Sequence, residues 1–244
     1  ASGAPPFRVA FLVYPGITQL DLTGAHEVFC RVPGAQIHLH WKTLDLVIAG
    51  GGLALTPTRT FADVAPTDLL CVPGGPGQIA LMVDDEVLAW VRATAAHASW
   101  VTSVCTGSLV LAAAGLLTGY RATTHWTALD DLALLGALPQ ADRVVVDRDR
   151  ITGAGVTSGI DFALAIVGQL FGEQRARAIH LSMEYDPAPP WPGAGSPRTA
   201  QASTLERLSS VLSPLAAKRR AATEAAAARV GNYGQPAGAA QPGG

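Results

Sequence analysis

Residues 100–119 read WVTSVCTGSLVLAAAGLLTG. A β-branched, apolar run over 100–104 has the composition of a buried strand. It stops at Cys105, and Thr-Gly-Ser leads into an apolar run of helical character over 106–117. A thiol therefore sits at a strand-to-helix joint. A residue there points out of the top of a sheet on a sharp backbone turn, the geometry familiar from serine nucleophile elbows. The following helix offers free N–H groups and the positive end of its dipole, which favour thiolate. Cys105 is accordingly a candidate nucleophile, with a small buried hydrophobe as the plainer alternative.

The same alternation extends outward in both directions. Strands are expected over 7–14, 36–42, 45–49 and 67–72, and a hairpin over 143–152 around Asp147-Arg148-Asp149. Helices are expected over 18–32, 84–98, 157–170 and 173–183. Strands alternating with helices point to an α/β fold, a mostly parallel sheet covered on both faces. After Glu184 the stretch YDPAPPWPGAGSPR is too proline-rich for regular structure throughout. Residues 200–229 are alanine-rich and favour helix, with Pro214 expected to interrupt or kink it. The end, GNYGQPAGAAQPGG, reads as a flexible tail. The expected organisation is a catalytic domain over 1–190, with its working part inside about 5–190, and a C-terminal extension over 191–244.

Composition narrows the function. The chain has 244 residues, 49% hydrophobic and 15% charged, with a formal net charge of −2. That excludes the basic excess of a nucleic-acid binder; Lys218-Arg219-Arg220 is only a short cluster. No apolar run is long enough to span a membrane. The start, ASGAPPFRVAF, lacks the basic and apolar regions of a secretory signal, so the cytoplasm is the expected compartment. Cys30, Cys71 and Cys105 are odd in number and widely spaced, against a disulfide framework or a cysteine zinc site. Packing is the expected role of Cys30 and Cys71. His38 and His40 alternate on one strand, but nothing nearby completes a metal ligand set.

In an open parallel sheet, ligands bind at the carboxyl ends of the strands. Three segments fall there: YPGITQLDLTGAHEVF (14–29), PGGPG (73–77) and Cys105. Glycines let a backbone approach a ligand closely, so the Gly75 N–H could join that of Thr106 in an anion hole, unless PGGPG is a plain turn. Asp21 places an acid among apolar neighbours. Buried near a thiol it would have a raised pKa and could carry a proton, unless it only favours a helix N-terminus. Glu27 could add a supporting hydrogen bond. His125, in RATTHW, could form a Cys–His pair; a hydrogen-bonded structural histidine is the alternative.

YPGITQLDLTGAHEVF, VPGGPG, SVCTGSLVLAAAGLLTGYRATTHW, ITGAGVTSGIDFAL and LSMEYDP occur in this order. Together, over about residues 7–190, they resemble the isonitrile (isocyanide) hydratases. These belong to the class I glutamine-amidotransferase-like superfamily, in the branch that also holds intracellular protease-like and chaperone-like members. The resemblance implies a flavodoxin-like three-layer sandwich and a homodimer without cofactor or metal. It also implies a lyase that adds water to an isonitrile. By the match, Cys105 is the nucleophile and Asp21 the acid/base carboxylate. Thr106 lines the pocket with its N–H and hydroxyl, and Gly75 is the oxyanion-hole glycine. Ala154 departs from a glycine-richer pattern. The rival readings are a glyoxalase- or protease-like enzyme using the same thiol and a ligand-sensing module.

Overall fold

The computed structural model describes residues 6–63 and 66–231; the expected tail, from residue 232 on, lies outside them. The main strands are β1 (Phe7–Leu12), β2 (Ala35–Trp41), β5 (Arg59–Thr60), β6 (Leu69–Val72), β7 (Trp100–Val104), β10 (Val144–Asp147) and β11 (Arg150–Gly153). They form one sheet in the order β10-β11-β7-β6-β1-β2-β5. Every neighbouring pair runs parallel except β10 and β11, the expected hairpin. Strands β3 (Val47–Ile48) and β4 (Ala54–Leu55) make a small separate hairpin, and β8 (Arg121–Ala122) pairs with β9 (Leu138–Pro139).

The helices fall into two packing groups. Helix α1 (Gln19–Phe29) packs on α6 (Ser158–Phe171), which packs on α7 (Glu173–Ser182). In the other group, α2 (Gln78–Leu81), α3 (Asp85–Ala95) and α5 (Leu129–Leu134) gather around α4 (Gly107–Ala113). This is the expected three-layer α/β sandwich. Strands buried on both faces read as unbroken apolar runs rather than alternating ones, and β6 is buried at every position. Asp84 caps α3 by accepting from the N–H groups of Glu86 and Val87, both at 3.1 Å.

The topology fixes where a site can form. From β1 the chain moves outward to β2 and β5, then returns to the opposite side of β1 as β6. The gap between the carboxyl ends of β1 and β6 is a topological switch point, where such sheets bind ligands. Val72 pairs with Ser103 and Val104 with Gly153. The loops after β6, β7 and β11 therefore leave the sheet at one level.

The C-terminal segment departs from its expectation. Helix α8 (Ala202–Val230) runs through Pro214 without a break in assignment. It packs back on α2, α4 and α5. Its second half is anchored: Ala226 and Thr223 are buried, and Arg229 bonds Asp85. Arg219 is buried too and forms a 2.7 Å ion pair with buried Asp131, while also reaching the Thr127 carbonyl. The segment beyond residue 190 is thus packed on the rest of the chain through α8. Removing one partner of a buried pair strands the other charge. Arg219→Ala is expected to cost about 3 kcal/mol of stability, read as a lower midpoint in urea unfolding; an unchanged midpoint would mean that Arg220, 3.0 Å from the same carboxylate, suffices alone.

Candidate active site

Cys105 has φ of +56°, a left-handed conformation that costs a non-glycine residue about 1 kcal/mol or more. Surrounding bonds enforce it. The Cys105 N–H donates to the Gly153 carbonyl (3.0 Å). Its own carbonyl accepts from the hydroxyls of Ser108 (3.2 Å) and Thr124 (3.1 Å). Gly107 brings α4 hard against the end of β6: a Cβ there would sit 1.9 Å from the Val72 carbonyl oxygen. The elbow inferred from 100–119 is thus a real turn, fixed by the sheet below it and the helix beside it.

The PGGPG loop joins the remaining pieces. The Gly74 N–H donates to Asp21 Oδ2 (3.0 Å), and the Gly75 N–H to Thr106 Oγ1 (3.1 Å). The Gly74 carbonyl accepts from the Thr18 N–H (2.9 Å), next to α1. Below the loop, the buried Tyr14 hydroxyl donates to the Pro73 carbonyl (2.8 Å). Gly75 has φ of +135°, and a Cβ would fall 2.3 Å from the Thr18 nitrogen. Only glycine fits there, so PGGPG is more than a generic turn. The Gly75 N–H, considered above for an anion hole, is instead held by the Thr106 hydroxyl.

Asp21 is fully buried, and its carboxyl lies beside the Cys105 thiol, close enough for each group to shift the other's pKa. Among the described residues its Oδ1 has no hydrogen-bond partner. Burial raises its pKa to about 7, against the opposing effects of the neighbouring Cys105 thiol and of the Gly74 N–H. The thiol moves the same way: burial, then the Asp21 charge, push it well above its ordinary value. The Thr106 N–H and hydroxyl pull it down, but less. The helix-lowered thiolate expected for Cys105 alone is therefore corrected. Two acids packed together and buried hold on to a proton.

A cavity of about 180 Å³ opens beside this pair. Its wall includes Thr18, Gly75, Gln78, Cys105, Thr106 and His125. Helix α8 adds Leu212, Leu215, Ala216 and Arg219, residues well beyond the expected catalytic part. Nothing in their spacing signalled this, because the contact is between segments about a hundred residues apart. His125 lines the cavity, but its Nδ1 meets the Thr127 hydroxyl at 2.9 Å. Burial and the Arg219 charge lower its pKa, so it is a neutral, structurally engaged ring.

Other candidates lie apart from the cavity wall. Glu27 is exposed and paired with Arg31 at 2.6 Å, so it gives Asp21 no hydrogen bond. Cys30 is exposed, contrary to the packing role expected of it. Cys71 is buried, and burial pushes its thiol up to about 12, the signature of an inert core cysteine. Among the described residues, one trio of ligand-type atoms comes together: those of His26, Glu27 and Cys30. The Arg31 guanidinium sits against Glu27 and Cys30, already supplying a positive charge. Ala154 is half-buried and lines a neighbouring, larger cavity.

Residues 7–169 match the family model described as the DJ-1/PfpI family. The chain is 48% identical over 223 residues to the isonitrile hydratase of Pseudomonas putida, covering 91% of this chain and 97% of that one. A solved ThiJ/PfpI family protein from Pseudomonas syringae superposes with a TM-score of 0.87 at 44% identity, covering 90% of this chain and 91% of its own. The transcriptional regulator GbdR of Pseudomonas aeruginosa is 31% identical over 76% of this chain, which spans 54% of the regulator.

A carboxyl whose folded pKa is raised contributes stability that is full below its unfolded value and lost as pH rises through the folded one. For Asp21 that window runs from about 4 to about 7. Asp21→Asn, which keeps an oxygen for the Gly74 N–H, is therefore expected to melt higher than the native chain at pH 8. Near pH 4 the gap should close. Equal melting temperatures across the range would show that the carboxyl is not perturbed by burial.

Proposed function

The chain belongs to the DJ-1/PfpI family, and from that premise we propose that it is an isonitrile hydratase, converting R–N≡C and water into R–NH–CHO. The observation that carries this reading is the pairing of Cys105 with a buried carboxyl of pKa near 7, and not with a histidine. The similarity to the Pseudomonas putida enzyme, over nearly the full length of both chains, points the same way. The cavity is small and largely apolar, with Ile79, Val156, Leu212 and Leu215 in its wall. That suits a nearly linear substrate with little hydrogen-bonding capacity.

The chemistry follows from the terminal carbon of an isonitrile, which accepts both a nucleophile and a proton. The Asp21 carboxylate takes the thiol proton as Cys105 Sγ bonds to that carbon. It then returns the proton to the same carbon, giving the thioimidate R–N=CH–S–Cys105. Water adds to this carbon; Asp21 accepts a proton from it and passes that proton to the nitrogen, leaving R–NH–CH(OH)–S–Cys105. Loss of the hydroxyl proton drives out the sulfur, which recovers its proton, and the formamide leaves. One difficult addition becomes two easier ones, with a single carboxyl serving as base and acid. A pKa near the working pH suits that double duty. Thr106 supports the sulfur through its N–H and hydroxyl. Gly75 acts by holding the Thr106 hydroxyl.

The cytoplasm suits an enzyme that depends on a free thiol, and all three cysteines are free. A homodimer is supported by the exposed Leu44, Leu46, Ile48 and Leu53 on and beside the β3–β4 hairpin, an apolar patch of the kind that marks interfaces. The sensing alternative draws on the likeness to GbdR. The 29-residue α8, however, is packed over the catalytic cavity.

Turnover of an alkyl isonitrile, followed by formamide appearance, tests the reading. Cys105→Ala and Asp21→Asn should each lose at least 1000-fold in kcat, the scale on which removing a nucleophile or its base acts. In the native enzyme, kcat/KM should rise with pH through about 7 as Asp21 ionises. Native-like turnover by either variant, or a rate independent of pH between 5 and 8, contradicts the scheme.

A further inference from the structure

Gln78 is the first residue of α2, immediately after PGGPG. Its side chain is almost completely buried, at 1% exposure, yet it lines the cavity that holds Cys105. The amide oxygen Oε1 has almost no accessible surface, toward the cavity or outside, and no hydrogen-bond partner among the described residues; a half-turn of the terminal amide, which exchanges it with Nε2, is the motion that lets a water reach it. An unsatisfied buried carbonyl costs about 1–3 kcal/mol, and such groups are normally paired with protein or with ordered water. Much of the surrounding wall, from Ile79, Val156, Leu212, Leu215 and Ala216, offers apolar side chains.

The same loop sets the position of Gln78 relative to the reacting groups. The Gln78 N–H donates to the Gly75 carbonyl (3.0 Å). One residue earlier, the Gly74 N–H holds Asp21, and the Gly75 N–H holds Thr106. Residues 74–78 thus tie the carboxyl, the residue after the nucleophile and the Gln78 backbone to one rigid turn.

A carboxamide oxygen only accepts hydrogen bonds. Of the two reactants, an isonitrile has no N–H or O–H to give, whereas water has two. We propose that Gln78 is a further catalytic residue, whose Oε1 holds the water that attacks the Cys105 thioimidate. The proposal rests on the isonitrile reading. In that step the water oxygen bonds to the thioimidate carbon. One water hydrogen passes to Asp21, the C=N π pair moves onto nitrogen, and Asp21 hands that same proton to the nitrogen. The second hydrogen stays on the new hydroxyl, held by Gln78 Oε1. The contact is made in the second half-reaction and leaves thiol addition alone.

Two measurements test it. A crystal structure of the native protein at high resolution should show a water within hydrogen-bond distance of Gln78 Oε1 inside the cavity, lost in Gln78→Met. A cavity without that water overturns the proposal whatever the kinetics. With a saturating alkyl isonitrile, Gln78→Met should lower kcat by 10- to 100-fold. Quenched samples should then carry the isonitrile mass on Cys105, while the rate of thiol consumption stays within twofold of native. Unchanged kcat, or a fall in which thiol addition slows equally, overturns it. Failure of the isonitrile reading is seen separately, as a native protein that makes no formamide.

Discussion

The structure depends on one contact: a buried carboxyl against a buried thiol at the switch point of the sheet. Neither group would be placed there for stability. Asp21 is out of water with a single backbone donor, the Gly74 N–H, on its Oδ2, and Cys105 sits in left-handed backbone. A stable fold tolerates such costs where the surrounding contacts over-determine them. Here the sheet register, the Gly107 contact with β6 and the Gly153 carbonyl fix the thiol. The PGGPG loop fixes the acid.

That arrangement explains why no histidine is needed. A Cys–His pair works by charging both partners, which requires solvent or further polar groups. The Asp21–Cys105 pair stays neutral overall when it holds its protons and carries one negative charge when it gives one up. In a small apolar cavity the second state is costly, and the cost appears as a carboxyl pKa of about 7. The proton is then exchanged readily with a carbon that needs one. His125 nearby is spent on Thr127 and kept neutral by burial and the Arg219 charge.

Much of this was legible in the sequence, and the remainder was hidden for identifiable reasons. The strand over 100–104, the elbow and the hairpin around residue 148 stand in the structure as read, because each is local and patterned. Asp21 stood out as an acid among apolar residues. The roles of Gly75 and Cys105 were read less well. Whether the Gly75 N–H is free, or the thiol pKa falls, depends on neighbours across loops. Glu27 was misjudged, since it pairs with the next turn of its own helix. Helix α8 was recognised as helix-forming, but its docking turns on Arg219 finding Asp131, 88 residues away. Gln78 carried no signal at all, because a glutamine after a glycine loop is ordinary until its oxygen is found buried without a partner.

The central claim is that Asp21 is the group that holds and releases the proton near neutrality. Carbon-13 NMR of the side-chain carboxyls, assigned by comparison with Asp21→Asn, measures this directly. A titration midpoint near 7 for Asp21 in the resting protein is the result expected. A midpoint near 4, the ordinary value for an exposed aspartate, would contradict the account.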